Sequence, residues 1–313
     1  MKYYTNFQNL NLKWLNNKGE YPLIASLLPK ELKKKFIDSV ELSHKKIYSE
    51  ILNNNFKNSN VKDCDYVILP FKLFVDNHEP FINESFSNGK KIIIFYNDDD
   101  DRTIEIPEKV GYLIRTSGYR SKNNSNILGL PTFSPDGFRG IYSNKPHLSF
   151  CGCPFTHPFR EKVVNYLKDN EISDFILRND FLAKGIDPNI SWREFIKNLE
   201  KNIYGLCLRG AGNFSYRLGE TFMMGRIPVL LDTDCILPFD GQIDYNKQCV
   251  LVKENEYKNI PDKIREHYEN HTREELLNIQ KENRKIWSEY FTPSGFCYSF
   301  NYLMKTLTND KPI

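Results

Sequence analysis

Eight short runs in this chain are apolar on consecutive positions. Asp65-Tyr-Val-Ile-Leu-Pro-Phe71, Lys91-Ile-Ile-Ile-Phe-Tyr96 and Gly111-Tyr-Leu-Ile-Arg115 lie in the first half. His147–Cys151, Asp174–Arg178, Tyr204–Leu208, Ile227–Leu231 and Cys249–Val252 lie in the second. A strand with one wet face alternates polar and apolar residues. A continuous run needs cover on both faces, which is the signature of a parallel sheet. Helical patterns separate the runs. Leu32, Phe36, Val40, Ile47 and Ile51 recur at helical spacing over 30–55, after Pro29. Helices are also expected over Phe159–Lys168, over Ser191–Lys201 with Ser191 as cap and Glu194 three residues on, over Asn213–Met224 with Gly225 as the stop, and from Asn255 to about Thr308. Strand and helix alternate in both halves, so the expected fold is α/β, with two doubly wound Rossmann-like domains facing a cleft.

The length supports that division, since 313 residues suit two domains of roughly 150 each. Residues 117–146 are rich in Ser, Asn, Gly and Pro and read as a linker or as loops facing the cleft. The expected boundaries are 1–143 for an acceptor-side domain, 144–290 for a donor domain, and 291–313 for a helix packing back on the first domain.

Composition removes several function classes. A net charge of +3 is no nucleic-acid footprint. No window reaches the roughly 18 apolar residues of a membrane span, and the N-terminus has no signal-type apolar segment. Lys33-Lys34-Lys35 reads as a solvated helix face, with weak peripheral membrane contact as the lesser alternative. Seven irregularly spaced cysteines read as reduced thiols of a cytoplasmic protein. Cys151-Gly-Cys153 lacks the second pair that zinc requires. The 14% aromatic content suits a packed core, and some rings could serve as sugar platforms.

The chemistry concentrates between Leu206 and Asp234. A buried strand ends in Arg209, and Gly210 and Gly212 permit a tight turn. Asn213 is expected to cap the following helix. A glycine turn feeding a helix N-terminus is an anion site, because free N–H groups and the helix dipole face the ligand. Asn213, Arg217 and Glu220 share one helical stripe; Phe214, Leu218 and Phe222 share another that can pack on the sheet. Arg217 would supply charge to a diphosphate, and Glu220 could accept from a ribose diol. The simpler alternative is an Arg217–Glu220 surface salt bridge.

Arg209-Gly210, Ser215-Tyr-Arg217-Leu-x-Glu220, Gly225-x-Ile-Pro-Val229 and Leu237-Pro-Phe239 resemble the exostosin-type glycosyltransferases, relatives of the heparan sulfate polymerases. The specific block covers about Asn202 to Val252. Weaker likeness touches Asp63–Phe71 and Phe150–Arg160. The resemblance implies a GT-B fold, an inverting transfer and a nucleotide-sugar donor, usually a UDP sugar, with a glycan as acceptor. By motif match, Arg209, Ser215, Arg217 and Glu220 would hold the donor nucleotide, and Gly210 and Asn213, from the glycine turn and the helix start, complete the expected donor-binding set. The chain departs from the animal members in its shortness and in lacking an anchor and a lumenal disulfide pattern. A bacterial or viral surface-polysaccharide enzyme fits better.

An inverting transfer needs a base, which GT-B enzymes usually take from the N-terminal domain. Asp76, His78 and Glu79, the acidic loop containing Asp98, and Asp136 qualify by position. Arg115, Tyr119 and Arg120 end another strand and could bind an acidic sugar or acceptor. His157 lies near the interdomain region. Asp232-Thr-Asp234 resembles the metal motif of the GT-A fold. It follows the Ile-Pro-Val strand, where a GT-B site uses arginines and helix dipoles, so no metal and no cofactor are expected, and Asp234 is kept as a substrate contact. A non-catalytic nucleotide- or carbohydrate-binding protein on the same fold is the alternative.

Overall fold

The computed structural model describes residues 1–6, 22–39, 58–69, 79–106, 110–181 and 183–309. Asp76 and His78 fall outside them, as does the part of the expected first helix beyond Ser39. Glu79 opens a helix, but its side chain is also outside the description.

Two five-stranded parallel sheets form. The first contains β1 (Tyr3–Tyr4), β2 (Tyr66–Ile68), β3 (Lys91–Tyr96), β4 (Gly111–Arg115) and β5 (Ile127–Gly129), ordered along the sheet as in the chain. Its helices are α1 (Pro22–Leu27), α2 (Lys30–Ser39) and α3 (Glu79–Ser87). Alternate residues of β3 explain the continuous apolar run. Ile93 and Phe95 pack with Leu23, Ile24 and Phe36 of α1 and α2, while Ile92 and Ile94 pack with Phe81 of α3. Both faces are covered, so neither can be polar.

The second sheet contains β6 (Leu148–Gly152), β7 (Ser173–Leu177), β8 (Tyr204–Cys207), β9 (Ile227–Asp232) and β10 (Val250–Lys253), in the order β10-β9-β8-β6-β7. The chain adds β7 on one side of β6 and then β8 on the other. That reversal is a topological switch point, and it opens a crevice beyond the C-terminal ends of β6 and β8. The helices are α4 (Pro158–Leu167), α5 (Pro188–Lys201), α6 (Tyr216–Met223), α7 (Tyr245–Gln248), α8 (Ile260–Glu269), α9 (Arg273–Tyr290) and α10 (Pro293–Asn309). Two parallel α/β sheets meeting at one junction form the GT-B architecture that the resemblance implies.

Local signals moved some boundaries. α5 starts earlier than expected, because Asp187 rather than Ser191 is the cap: its carboxylate accepts from the N–H groups of Asn189 (2.9 Å) and Ile190 (3.2 Å), and Pro188 takes the first helical position. α6 ends at Gly225, whose φ of 58° is the left-handed stop the sequence implies. The expected linker is only partly one: residues 127–129 become β5, completing the first sheet.

α10 reaches the first sheet. Phe296 and Phe300 pack at 6.3 and 5.8 Å (ring centroids) from Phe95 of β3, and Tyr3 Oη donates to Asn301 Oδ1 at 3.1 Å. Arg226, fully buried just after α6, donates to the carbonyls of Leu199 (2.8 Å), Met224 (2.9 Å), Ile141 (2.9 Å) and Glu200 (2.9 Å). One planar fork thus ties together three segments: Ile141, the end of α5 and the end of α6.

His267 of α8 lies edge-on to Tyr204, with Nδ1 2.9 Å from the Tyr204 hydroxyl. Burial, and then the neighbouring His271, push its pKa down to about 4. The unfolded chain therefore takes up a proton near pH 6.5 that the folded chain refuses until about pH 4. Stability contributed by neutral His267 is present above pH 6.5 and is lost as pH falls toward 4. The loss is bounded at about 3 kcal/mol, and solvent screening of a partly exposed ring reduces it. Thermal unfolding of His267→Gln is expected to show a flatter acid limb than wild type between those pH values; identical limbs would contradict this.

Candidate active site

The crevice at the switch point is a cavity of about 550 Å³. Its floor is Gly152 at the end of β6 and Leu208 beyond β8. The turn Gly210–Ala211 and the start of α6, Phe214 to Arg217 with Glu220, form one wall. Thr156 and Arg160, before and within α4, form the opposite wall. Asp99 enters from the first sheet's acidic loop, and Phe181 stands at the lip, 68% exposed. Four of the six expected donor residues, Gly210, Ser215, Arg217 and Glu220, are thus brought together.

Arg217 and Glu220 are ion-paired with each other, the simpler of the two sequence readings, yet both line the cavity. The Arg217 guanidinium also donates to the Cys151 carbonyl and stacks 4.3 Å from the Phe195 ring centre. Gly152 leaves room for it: a Cβ there would lie 3.2 Å from Arg217 Nη2, and the guanidinium would have to shift slightly.

Arg160 was outside the sequence-derived set. Its side chain is buried and donates to the carbonyls of Cys153 (2.9 Å) and Leu208 (3.1 Å), and more weakly to that of Arg209 (3.3 Å). Among the described residues no carboxylate pairs with it. Burial, and then Arg217, lower its pKa to about 10, so it remains a cation at neutral pH. Three polar atoms of the lining residues are also buried without a hydrogen-bond partner: Thr156 Oγ1, Ser215 Oγ and Arg217 Nε. Buried polar groups are normally satisfied. A cavity with an arginine that no described carboxylate neutralises, and three such atoms in its lining, offers charge and hydrogen-bonding groups that suit an oxygen-rich anion.

Arg209 and Asn213 lie elsewhere. Arg209 turns toward the first sheet, where Nη2 meets Asp101 Oδ2 at 3.1 Å and Nη1 donates to Tyr119 Oη at 3.3 Å. Asn213 is completely buried in the junction and does not cap α6. Its Nδ2 donates to the carbonyls of Gly118 (3.0 Å) and Thr233 (3.1 Å), and its Oδ1 accepts from the Thr233 hydroxyl at 2.7 Å. Ser215 takes the cap position instead, without using its hydroxyl as a cap. Gly212 serves close approach of the two halves, since a Cβ would lie 2.8 Å from Asp99 Cα. Gly212→Ala is therefore expected to destabilise the protein by about 1–3 kcal/mol in chemical denaturation, the range for forcing atoms into a packed contact; an unchanged midpoint would show that the junction yields freely.

The remaining expected contacts separate clearly. Arg115 is 1% exposed and donates to the carbonyls of Asp100 (2.6 Å) and Arg102 (3.0 Å), so it shapes the acidic loop from beneath and does not face the cavity. Arg120 grips Asp232 with two hydrogen bonds, at 2.7 and 2.8 Å, and approaches Asp234 at 3.8 Å. The Ser121 hydroxyl also donates to Asp234. Both carboxylates of the Asp-x-Asp pattern are thus used to join the sheets. His157 is the cap of α4, with Nδ1 accepting from the Phe159 N–H at 3.2 Å. Burial, and then Arg209, lower its pKa. Asp98 is held at its backbone by Thr116 (3.2 and 3.0 Å), and Asp99 beside it is the acidic-loop residue that lines the cavity. Asp136 pairs with Arg284 at 2.6 Å, away from the cavity.

No family model matches the chain. The chain is 28% identical over 93 residues to Exostosin-1 of Drosophila melanogaster and 25% identical over 115 residues to the Exostosin-1 homolog of Caenorhabditis elegans. Those segments are 30% and 37% of this chain and 12% and 29% of the two relatives, so the chain spans well under half of either. The exostosin resemblance read from the motifs is therefore also found by comparison. Solved structures with a similar chain path include a glycosyltransferase from Rickettsia africae ESF-5 (TM-score 0.45, 12% identity, 99% of this chain and 98% of that one) and TarM (TM-score 0.42, 12% identity, 76% and 54%). No helix among the described residues is long and apolar enough to cross a membrane.

Proposed function

We propose that this protein is a glycosyltransferase that binds a nucleoside-diphosphate sugar, most simply a UDP sugar, in the cavity between α4 and α6 and transfers the sugar to a glycan hydroxyl. The observation that carries this reading is the unpaired Arg160 together with the buried, unpartnered Thr156 Oγ1, Ser215 Oγ and Arg217 Nε on one cavity. A diphosphate supplies oxygens for all four. Glu220, a turn deeper on α6, suits a ribose diol. Arg209 and Asn213 are proposed to support the site from the junction.

The step we infer is a single displacement. The acceptor oxygen attacks the anomeric carbon from the side of the first sheet, and the bond from that carbon to the diphosphate oxygen breaks. Asp99 takes the acceptor proton, and Arg160 and Arg217 stabilise the charge growing on the leaving diphosphate. Attack opposite the leaving group inverts the anomeric centre. No metal is needed in this scheme, because two arginines supply the positive charge and Asp232 and Asp234 are bonded to Arg120 and Ser121. A division at 143/144, a helix from 291 packing back, a surface-polysaccharide product and a cytoplasmic setting belong to the same proposal.

The test is release of nucleoside diphosphate from a panel of UDP, GDP and dTDP sugars by purified protein, with soluble oligosaccharides as acceptors and with or without EDTA. Acceptor-dependent release that ignores EDTA is expected. Tight nucleotide binding without release from any donor would favour a binding protein on this fold; release that stops with EDTA would overturn the metal-free scheme.

A further inference from the structure

Three loops from two sheets close a polar triangle beside the cavity. Asp101 follows β3, Tyr119 follows β4 and Arg209 follows β8. Asp101 Oδ2 accepts from Arg209 Nη2 and from Tyr119 Oη, both at 3.1 Å, and Tyr119 Oη accepts from Arg209 Nη1 at 3.3 Å. The residues on either side of Arg209, Leu208, Gly210 and Ala211, line the cavity, so its backbone borders the wall.

The two ends of this ion pair are unequally solvated. The Arg209 side chain is 9% exposed and that of Asp101 is 35% exposed, while Arg209 Nε is buried without a partner. Leaving the pair costs Asp101 little, because water replaces its partner. It costs Arg209 much more, because a buried cation needs an anion beside it. The pair therefore comes apart easily only when another anion takes the place of Asp101.

We propose that Asp101 and Tyr119 are positioning residues that hold Arg209 in the donor-free protein, and that the donor's diphosphate displaces Asp101 from it. This inference rests on the donor-site reading above. Exchange would release Asp101, one anchor of the loop Asn97–Asp101, at the moment the donor arrives, while Thr116 and Arg115 keep hold of Asp98 and Asp100. That loop carries Asp99, the proposed base, two residues from Asp101. Base placement is thereby linked to occupancy of the donor site, and a sugar nucleotide is less exposed to attack by water before the site is assembled.

Isothermal titration with UDP and with inorganic pyrophosphate would test this on wild type, Asp101→Asn, Arg209→Gln and the double variant. Asp101→Asn is expected to bind both probes about 3- to 10-fold more tightly, the scale of a partly exposed ion pair. The gain should vanish when Arg209 is already Gln, because the competitor then has nothing to compete for. Tyr119→Phe, which keeps the ion pair, should give a smaller gain and guards against misfolding of the first variant. Equal tightening in both Arg209 backgrounds would mean only a general loss of negative charge, and it would overturn the latch. So would unchanged or weaker binding by Asp101→Asn. If neither probe binds any of the variants, the donor-site reading fails and the latch fails with it.

Discussion

Asp99→Asn is expected to cut the transfer rate by about 10²- to 10⁴-fold while leaving nucleoside-diphosphate affinity within a few-fold of wild type. The asparagine side chain is nearly isosteric and cannot accept the acceptor's proton. Asp99 lines the cavity from the first sheet's acidic loop, whereas the arginines come from α4 and α6. Its substitution therefore removes the base without disturbing the diphosphate. Asp98→Asn is the matched control, because Asp98 is not among the residues lining the cavity. Initial-rate assays at saturating donor, with titration calorimetry of the same preparations, separate the two effects. Equal losses for both substitutions would point to loop folding; full activity in Asp99→Asn would remove it as the base.

Arg217→Ala is expected to weaken nucleotide binding by about 10- to 150-fold, the equivalent of about 1.5–3 kcal/mol for a charged hydrogen bond. Three interactions disappear at once: the pair with Glu220, the bond to the Cys151 carbonyl and the stack on Phe195. The alanine also leaves the Glu220 carboxylate in the cavity without its cation, which repels a diphosphate. Glu220→Gln keeps the arginine and removes that repulsion, so it should weaken binding less, through its contact with the ribose diol alone. Equilibrium titrations with thermal melts as a folding control check both. Near-native affinity in both folded variants would refute the assignment of this wall to the donor.

Much of this arrangement could be read in the residues. The two-sided burial of β3 and β4 is visible as Ile-Ile-Ile and Tyr-Leu-Ile because every position must be apolar. Gly225 announced the end of α6, since a left-handed residue there favours glycine. Arg217 and Glu220 could be placed together because residues three apart share a helix face, and Ser215 came with them through the motif. What one strand–turn–helix unit cannot reveal is its neighbour. Asn213 has the chemistry of a helix cap, but the carbonyls of Gly118 and Thr233 come closer to it in three dimensions. Arg209 has the chemistry of a phosphate ligand, yet Asp101 lies 108 residues away and reaches it across the junction. Arg115 ends a strand as a binding residue often does, and only the folded acidic loop shows which carbonyls it serves. Arg160 carried one usable signal: an arginine in the first turns of the helix after β6, beside the switch point. Asp99 was legible as part of an acidic loop, but which of four successive aspartates faces the cavity depends on the turn itself.

The most direct test of the central claim is a thermal-shift titration of the purified protein with UDP, GDP, CMP, ADP and dTDP, repeated on Arg217→Ala. A nucleoside diphosphate at 100 times its dissociation constant stabilises a protein by about 2.7 kcal/mol. The account predicts a clear upward shift with one of the diphosphates, unchanged by EDTA and largely lost in the variant. No shift with any of them, or a shift of full size in Arg217→Ala, would contradict a donor site between α4 and α6.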